Sequence, residues 1–549
     1  MLTMEEGMIT EVFKSYSRYP VPVSALITTE NSNCSDTKTQ NFILRTEWRQ
    51  CDVDRGVRLS FSQHWNLQLK ENTLEKCLCL GPCTSTHREL LNSHAPTGER
   101  RAVIRDAGGR QFLEVWGCNG LEKSFDLAAL NKHGKVYDDE QFACLDWSPC
   151  GEKLLYVAEK KKPGSPDNGE GGSLAVFEKE DKNVYVEDWG EGLVGKSAPV
   201  LCLANLTTGD VTVCPGVPPH VSPGQASWTG DGNEAIFVGW WHEPFRLGLK
   251  FCSNRRSAVF SIDFKGNCGQ FMGVYEHLAP HCWSTDSERI FFSSPCENSK
   301  LLFCVERRTG RVTPVQDAAC MYKVGFVPDG THTQSVQWSQ LGGANTYESF
   351  DWESMIISPP PEEENCQYSG INFGALLLKP AASFRAVKFP LVIFIHVNYR
   401  GSTGFGQDGI ESLLGNIGSQ DVKDVQRAVQ HVLHNNKTLD PDRVAVMGGS
   451  HGGFLACHLI GQYPEFYRAC AVRNPVINAA TLLGTSDITD WRYSSVGLEY
   501  SFTQLPTPQA LTTMLEKSPI VHVAQRSIEF KLTTTAMTVC FEECCIVAI

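Results

Sequence analysis

The sequence predicts a multidomain fold, with an N-terminal β-rich domain followed by a C-terminal α/β domain. At 549 residues the chain is too long for a single compact core. Phrases made of a tryptophan, a turn and a short apolar strand recur before residue 315, whereas longer apolar strands and amphipathic helices alternate after residue 390. The proline-rich segment 358–364 lies between the two parts, so we place the domains at 1–357 and 358–549.

Composition and charge are those of an ordinary globular protein, with 20% charged and 42% hydrophobic residues. A net charge of −13 argues against nucleic-acid and anionic-membrane partners. No secretory signal is expected at the start, and no stretch reaches the ~20 apolar residues of a membrane helix. The 22 cysteines are scattered without the spacing of a zinc site, so we expect reduced thiols, a cytoplasmic location and no metal.

The first domain is predicted to be a short helix, at about residues 5–16, followed by a β-propeller. Three tryptophan–turn–strand phrases begin at Trp147, Trp228 and Trp283, and the first interval is clearly the longer of the two. Because a propeller blade takes roughly 40–50 residues, the first interval predicts two blades and the second one blade with a loop. A β-sandwich is the alternative, and in either fold the tryptophans are expected to pack in the core.

The second domain alternates strands and helices. Residues 391–395 form a continuous apolar run, as in a buried parallel strand. Apolar residues from Val422 to Leu433 then fall on one face of a helix opened by Asp421. A strand at 443–447 and a helix at 453–460 follow, and this order predicts a doubly wound α/β architecture.

A G-x-S-x-G phrase joins that last strand to that last helix. It consists of Gly448, Gly449, Ser450, His451 and Gly452. In this setting the phrase predicts a nucleophile elbow, a turn so tight that the residues around the serine must be small. The elbow predicts an α/β-hydrolase domain whose chemistry is acyl transfer through an ester of Ser450.

Several longer phrases resemble the prolyl oligopeptidase family of serine peptidases. Residues 398–406 and 447–453 carry the family resemblance. Residues 187–191, 240–248 and 473–478 closely resemble the acylaminoacyl-peptidases within that family.

This resemblance, which runs from about residue 40 to about residue 523, implies a cytosolic serine peptidase. Such an enzyme removes an N-acylated amino acid from a short peptide, forms homo-oligomers and needs neither metal nor organic cofactor. The resemblance also implies that the propeller restricts access to small, flexible substrates.

The catalytic partners of Ser450 are the point at which the sequence departs from this chemistry. A histidine must take the serine proton and a carboxylate must orient that histidine, in the chain order Ser, Asp or Glu, His. The candidates after Ser450 are Asp487, Asp490, His451, His458 and His522. His451 is expected to act through its backbone N–H, and His458 is expected to be a helix-face residue. By the resemblance, neither aspartate nor His522 matches a triad position.

Three further departures indicate deletions. At His396, the first residue of an oxyanion loop, the rest of the family's loop and the helix after it are missing, so that two core strands would be fused and a sheet face uncovered. The propeller looks shortened at 277–283 and 316–323, and residues 526–549 form an unrelated tail in place of the segment that carries both triad partners. The chain therefore reads as truncated and internally deleted, either as an exon-skipped isoform or through a faulty gene model.

Two other functions stay open. A propeller with a broken hydrolase domain could bind peptides or subunits without catalysis. An ordinary esterase would share the elbow but not the longer phrases. Arg473, a charged residue among apolar ones, is a possible substrate-binding residue, although a structural salt bridge is an equal alternative.

Overall fold

The fold is given by a computed structural model. It describes residues 19–29, 39–52, 57–70, 73–86, 89–161, 187–190, 192–243, 246, 249–250, 256–273, 278, 282–284, 286–315, 350–380, 388–394, 398–486, 488–501, 503–525, 531–533 and 546–548.

Five antiparallel sheets follow one another along the N-terminal part. The first contains β1 (Val21–Thr29), β2 (Thr39–Asp52), β3 (Val57–Lys70), β4 (Thr73–Cys79) and β5 (Thr84–Ser85). The second contains β6 (Glu89–His94), β7 (Arg101–Ala107), β8 (Arg110–Gly117) and β9 (Gly120–Asp126). The third contains β10 (Leu145–Trp147), β11 (Lys153–Glu159), β12 (Pro199–Asn205) and β13 (Val211–Val213). The fourth contains β14 (Val221–Trp228), β15 (Glu234–Trp241), β16 (Ser257–Asp263) and β17 (Cys268–Gly273). The fifth contains β18 (Arg289–Cys296), β19 (Ser299–Glu306) and β20 (Val312–Pro314).

These sheets form a β-propeller, as predicted, and the tryptophans lie between blades. All three are buried, at 2%, 4% and 8% exposed for Trp147, Trp228 and Trp283. The indole of Trp147 donates to the carbonyl of Ser93 in the second sheet, at 3.2 Å, and the indole of Trp228 donates to the carbonyl of Asp146 in the third, at 3.3 Å. Each bond ties a sheet to the one before it, so the prediction that the tryptophans are core residues is confirmed.

The blade count inferred from tryptophan spacing is wrong for the first interval. Among the described residues between Trp147 and Trp228, which leave out 162–186 and 191, the structure has one sheet rather than two. The extra length lies in the connection between β11, which ends at Glu159, and β12, which begins at Pro199. The stretch from Trp228 to Trp283 holds one blade, as predicted.

In its described residues up to 525, the C-terminal part contains two sheets and several helices. Its strands are β21 (Phe350–Ile357), β22 (Phe373–Pro380), β23 (Phe389–Phe394), β24 (Leu439–Gly449) and β25 (Ala469–Arg473). Its helices are α2 (Gly406–Glu411), α3 (Gln420–Asn435), α4 (His451–Gln462), α5 (Thr489–Ser495) and α6 (Pro508–Glu516); the short helix α1 (Leu127–Leu130) belongs to the propeller. Single 3₁₀ turns occupy 361–363, 481–484 and 519–525. The strands β23, β24 and β25 are parallel and lie in that order, which confirms the α/β architecture.

One face of each C-terminal sheet is uncovered. Leu391 and Ile393 of β23 are buried, but Val392 between them is 58% exposed. In the antiparallel pair β21–β22, Trp352 lies opposite Leu378, and these side chains are 55% and 66% exposed. In the part of the chain that the structure describes, β21–β22 and β23–β25 are separate sheets. The predicted loss of the loop and helix after His396 would leave such a face uncovered, because no helix would then pack on it.

The two domains touch at the turn between β18 and β19. The backbone N–H of Glu297 donates to the carbonyl of Gly404 at 2.9 Å, and the side chain of Asn298 donates to the carbonyl of Met355 at 2.8 Å. Strand β21 contributes Met355 and Ile357 to the core of the C-terminal domain. The boundary at residue 357 remains a prediction, and β21 on its N-terminal side packs with the hydrolase core.

Some predicted features lie outside the described residues. These are the helix at 5–16, His396, Asp487, the shortened segment 316–323 and most of the tail 526–549. Of the tail, the structure describes the antiparallel pair β26 (Lys531–Thr533) and β27 (Ile546–Ala548). No helix in the described ranges is both long enough and apolar enough to cross a bilayer.

Candidate active site

Ser450 occupies a strained turn at the position where a nucleophile elbow is predicted. The residue lies between the end of β24 and the first residue of α4, is exposed, and has φ 53° and ψ −117°. This backbone conformation is one that side chains with a Cβ rarely adopt. The backbone N–H of Ser450 donates to the carbonyl of Arg473 on β25, and the carbonyl of Ser450 accepts from Phe454, both at 3.0 Å. The turn is therefore held from the neighbouring strand and from the helix.

The two glycines before Ser450 differ in the space around them. A Cβ on Gly448 would lie 2.2 Å from the carbonyl oxygen of Gly452, which is an impossible contact. A Cβ on Gly449 would lie 3.4 Å from the guanidinium nitrogens of Arg473, which is close to an ordinary contact. Close approach of strand and helix therefore demands glycine at 448, whereas position 449 has room for a methyl group.

The backbone N–H of His451 begins α4. The first N–H groups of a helix have no intrahelical acceptor, and the helix dipole places partial positive charge there. An oxyanion that developed beside Ser450 could accept from this N–H, and the role of His451 as an oxyanion donor stays a prediction. The family's second donor belongs to the loop after His396, and that donor is predicted to be missing here; His396 itself lies outside the described residues.

The side chain of His451 forms a contact that the sequence did not predict. Its Nε2 lies 3.4 Å from Oδ2 of Asp421, in the first turn of α3, and that carboxylate is fully buried. Among the described residues, Oδ2 of Asp421 and both ring nitrogens of His451 make no hydrogen bond. Asp421 and His451 are distant in sequence and belong to different helices, so no local spacing signals the pair.

Aromatic rings enclose the imidazole of His451. The ring centroids of Phe454, Tyr399 and Trp491 lie 5.1, 5.5 and 5.9 Å from its own. Burial raises the pKa of Tyr399, so this phenol stays neutral. The imidazole is thus fixed by packing on several sides, and with it the peptide that carries the candidate oxyanion donor.

The other histidines after Ser450 lie away from the elbow. His458 is buried within α4, where Nε2 bonds to the carbonyl of Lys517 at 3.1 Å and burial lowers the pKa to about 4. The ring of His522 lies 5.3 Å from that of His458, and its Cβ lies beside Gly461. At 1.5 Å per residue along a helix, these contacts are roughly 12–16 Å from Ser450.

No triad partner therefore comes from these two histidines. Asp490 is buried in the first turn of α5. Within the described residues the hydroxyl of Ser450 has no hydrogen-bond partner.

The loop that begins at Asn398 is held by a buried ion pair. Arg400 and Asp424 are each 1% exposed, and Nη2 of the arginine lies 2.6 Å from Oδ1 of the carboxylate. Asp424 also accepts the backbone N–H of Arg400, at 2.9 Å. Asp424 follows Asp421 by one turn of α3, so this helix fixes both the loop and the surroundings of His451.

Comparison with known proteins identifies both halves of the chain. The family described as "Acylamino-acid-releasing enzyme, N-terminal domain" matches residues 86–268, and the prolyl oligopeptidase family matches residues 386–524. The acylamino-acid-releasing enzyme of Sus scrofa is 36% identical over 96% of this chain and 90% of its own length. That of Mus musculus is 38% identical over 88% of this chain and 84% of its own.

The alignment with the pig enzyme supports internal deletions. It extends over 661 residues, although this chain has only 549 residues in all. A substantial part of the relative within the alignment therefore has no counterpart here. A crystal structure of the acylaminoacyl peptidase of Pyrococcus horikoshii covers 93% of this chain and 85% of its own, with a TM-score of 0.56 and 13% identity, and supports the fold alone. The chain belongs to the acylamino-acid-releasing enzymes, within the prolyl oligopeptidase family of serine peptidases.

Proposed function

We propose that Ser450 is an acyl-accepting nucleophile that releases an N-acylated amino acid from a short peptide, at a rate well below that of a complete catalytic triad. The hydroxyl oxygen attacks the scissile carbonyl, the peptide C–N bond breaks, and the leaving amine takes a proton. Water then hydrolyses the ester and frees the serine. The observation that carries the proposal is Ser450 itself, exposed on a strained elbow at the N-terminus of α4.

The oxyanion of the tetrahedral intermediate would be stabilised by the backbone N–H of His451. A helix N-terminus favours negative charge, and the packed imidazole keeps this peptide in place. Arg473 is proposed to contact the substrate, because it is exposed and its guanidinium lies against Gly449.

We infer the low rate because the hydroxyl of Ser450 must give up its proton and needs a base to accept it. His458 and His522 lie along α4 and are too distant to act as its base. A hydroxyl without a base is a poor nucleophile at neutral pH. Loss of one oxyanion donor typically costs a further factor of about 10²–10³.

We also propose a homo-oligomer in the cytoplasm. The described cysteines, 16 of the 22, are all free, which fits a reducing compartment. Bare apolar faces on both C-terminal sheets are surfaces that a second copy could cover.

A non-catalytic function is the second candidate, favoured by the divided sheet and by a serine hydroxyl without a hydrogen-bond partner among the described residues. The chain would then bind N-acylated peptides or subunits and turn over nothing.

Labelling with a fluorophosphonate probe separates the two candidates. The wild-type chain and Ser450→Ala are labelled side by side, and turnover of an acetyl-alanine anilide is followed in the same samples. Slow labelling and weak turnover that both disappear in Ser450→Ala are the expected results. A folded wild-type chain that is neither labelled nor active would favour the binding function, and activity that survives Ser450→Ala would remove the serine from the mechanism.

A further inference from the structure

Two cross-strand arginine–histidine pairs face each other between the first two sheets of the propeller. Arg45 on β2 lies directly opposite His64 on β3. His94 on β6 lies directly opposite Arg101 on β7. Residues opposite one another in an antiparallel sheet have Cβ atoms about 5 Å apart, so each pair is a local contact. We call these four residues the basic cluster.

The basic cluster spans two sheets because Arg45 reaches across. Its Nη2 lies 3.4 Å from the carbonyl of Gly98, in the turn between β6 and β7. The charges of Arg45 and Arg101 act on each other and on both imidazoles. Four nitrogen-rich side chains therefore converge on one small volume.

The acceptors around the basic cluster do not match its donors. Arg101 bonds to Glu89, which also lies 3.6 Å from Arg105, and Arg105 has a second partner in Glu114. Two guanidinium groups thus share these two carboxylates, and among the described residues Arg45 pairs with neither of them. In the described part of the chain, the buried Nη1 of Arg45 and the buried Nε of Arg101 have no acceptor.

Unpaired buried donors of this kind destabilise the folded state. A buried N–H of a charged group without an acceptor loses its hydration and gains nothing in return. Native structures satisfy most such groups, so an unsatisfied one requires an explanation.

The imidazoles of His64 and His94 are uncharged hydrogen-bond donors. Burial, together with the charges of Arg45 and Arg101, lowers the pKa of His94 to about 3, and the pKa of His64 falls for the same reasons. Both rings are neutral near pH 7, and each neutral ring still has one N–H to donate. Neither ring makes a hydrogen bond among the described residues.

We propose that the basic cluster is a binding site for a small oxyanion, either a phosphate or a carboxylate. Such a group accepts several hydrogen bonds at once and matches the planar fork of a guanidinium. It would supply acceptors to Arg45 and Arg101 and offset the excess positive charge. The site lies in the propeller and is independent of the chemistry at Ser450.

Isothermal titration calorimetry on the full chain tests the site, with sodium phosphate, sodium acetate and sodium chloride at pH 7 and constant ionic strength. Constant ionic strength is needed because salt screens any charged surface. The expected result is saturable binding of phosphate or acetate, or of both, at one site, with no comparable binding of chloride. The tighter of the two anions identifies the chemical class of the ligand.

Two substitutions on one strand locate the binding. Arg45→Gln is expected to weaken affinity by about tenfold or more, as the loss of charged hydrogen bonds predicts. Arg49→Gln is the matched control, since Arg49 lies further along β2 and pairs at the surface with Glu140. The control should bind within about twofold of wild type on the same scale.

Either of two results overturns the proposal. One is wild-type binding of phosphate and acetate no stronger than that of chloride. The other is unchanged affinity in Arg45→Gln. If Arg45→Gln does not fold, His94→Phe replaces it, because it removes one donor of the cluster while leaving both arginines; unchanged affinity there has the same meaning.

Discussion

Backbone strain at Ser450 predicts that glycine is more stable than alanine at this position. With φ 53° and ψ −117°, Ser450 has a conformation that costs about 1–3 kcal/mol for a residue with a Cβ. Glycine does not pay this cost, but it loses about 0.4–1 kcal/mol through the greater freedom of the unfolded chain. The difference leaves Ser450→Gly more stable than Ser450→Ala by about 1 kcal/mol, and at most about 2 kcal/mol.

The measurement is urea unfolding of both variants, followed by a probe of the C-terminal domain. A difference of about 1 kcal/mol moves the melting temperature by roughly 2–4 °C in a domain of this size, so thermal unfolding gives a second readout. Neither variant can be labelled at residue 450, so changes in chemistry do not confuse the comparison.

Gln430 provides the matched control pair. It is exposed on α3, where glycine should be less stable than alanine by about 1 kcal/mol. The sign of the glycine–alanine difference must therefore reverse between 430 and 450. If glycine is the less stable residue at both positions, the elbow is not strained and the reasoning is wrong.

Three further substitutions test packing. Gly448→Ala should abolish labelling of Ser450 by the probe, because the added methyl group would lie 2.2 Å from a backbone carbonyl oxygen. Gly449→Ala should keep most of the labelling, and equal labelling of the two variants would contradict the elbow geometry. Asp424→Ala should lower the free energy of unfolding in urea by about 3–5 kcal/mol, since it leaves the buried Arg400 without its carboxylate. A decrease of less than about 1 kcal/mol would show that the arginine binds another partner or water. Leu378→Thr should reduce aggregation measured by light scattering with little change in stability, because the side chain is 66% exposed, while Leu377→Thr, 7% exposed, should cost about 2–4 kcal/mol.

The features that the sequence predicted well are those decided by neighbouring residues. The elbow follows from the small residues beside Ser450 and from the apolar segments on either side, and the structure places it where the phrase predicted. The strand before it begins at Leu439 rather than at residue 443, because the residue at its start still pairs with β23. Burial of the indole rings was also predictable, since such large apolar side chains are expected to pack in the core.

The features that the sequence missed depend on distant contacts. Nothing in the spacing of Asp421 and His451 shows that two helices bring them to 3.4 Å. The blade count failed because a long connection between β11 and β12 lengthened one interval, in which the described residues form a single sheet. The basic cluster could not be predicted from the sequence either, because its two arginine–histidine pairs come from separate sheets.

The same division between local and distant determinants explains how a deleted chain keeps a nucleophile. The elbow needs β24, β25 and α4, which are continuous in sequence between residues 439 and 473. A triad needs loops from strands that are far apart, and an oxyanion hole needs a second loop after β23. Deletions elsewhere would therefore remove the proton acceptor and divide the sheet while leaving Ser450 in its strained turn. Labelling of the serine and turnover of substrate should accordingly fall by different factors in this chain, because the first needs the elbow and the second needs the whole sheet.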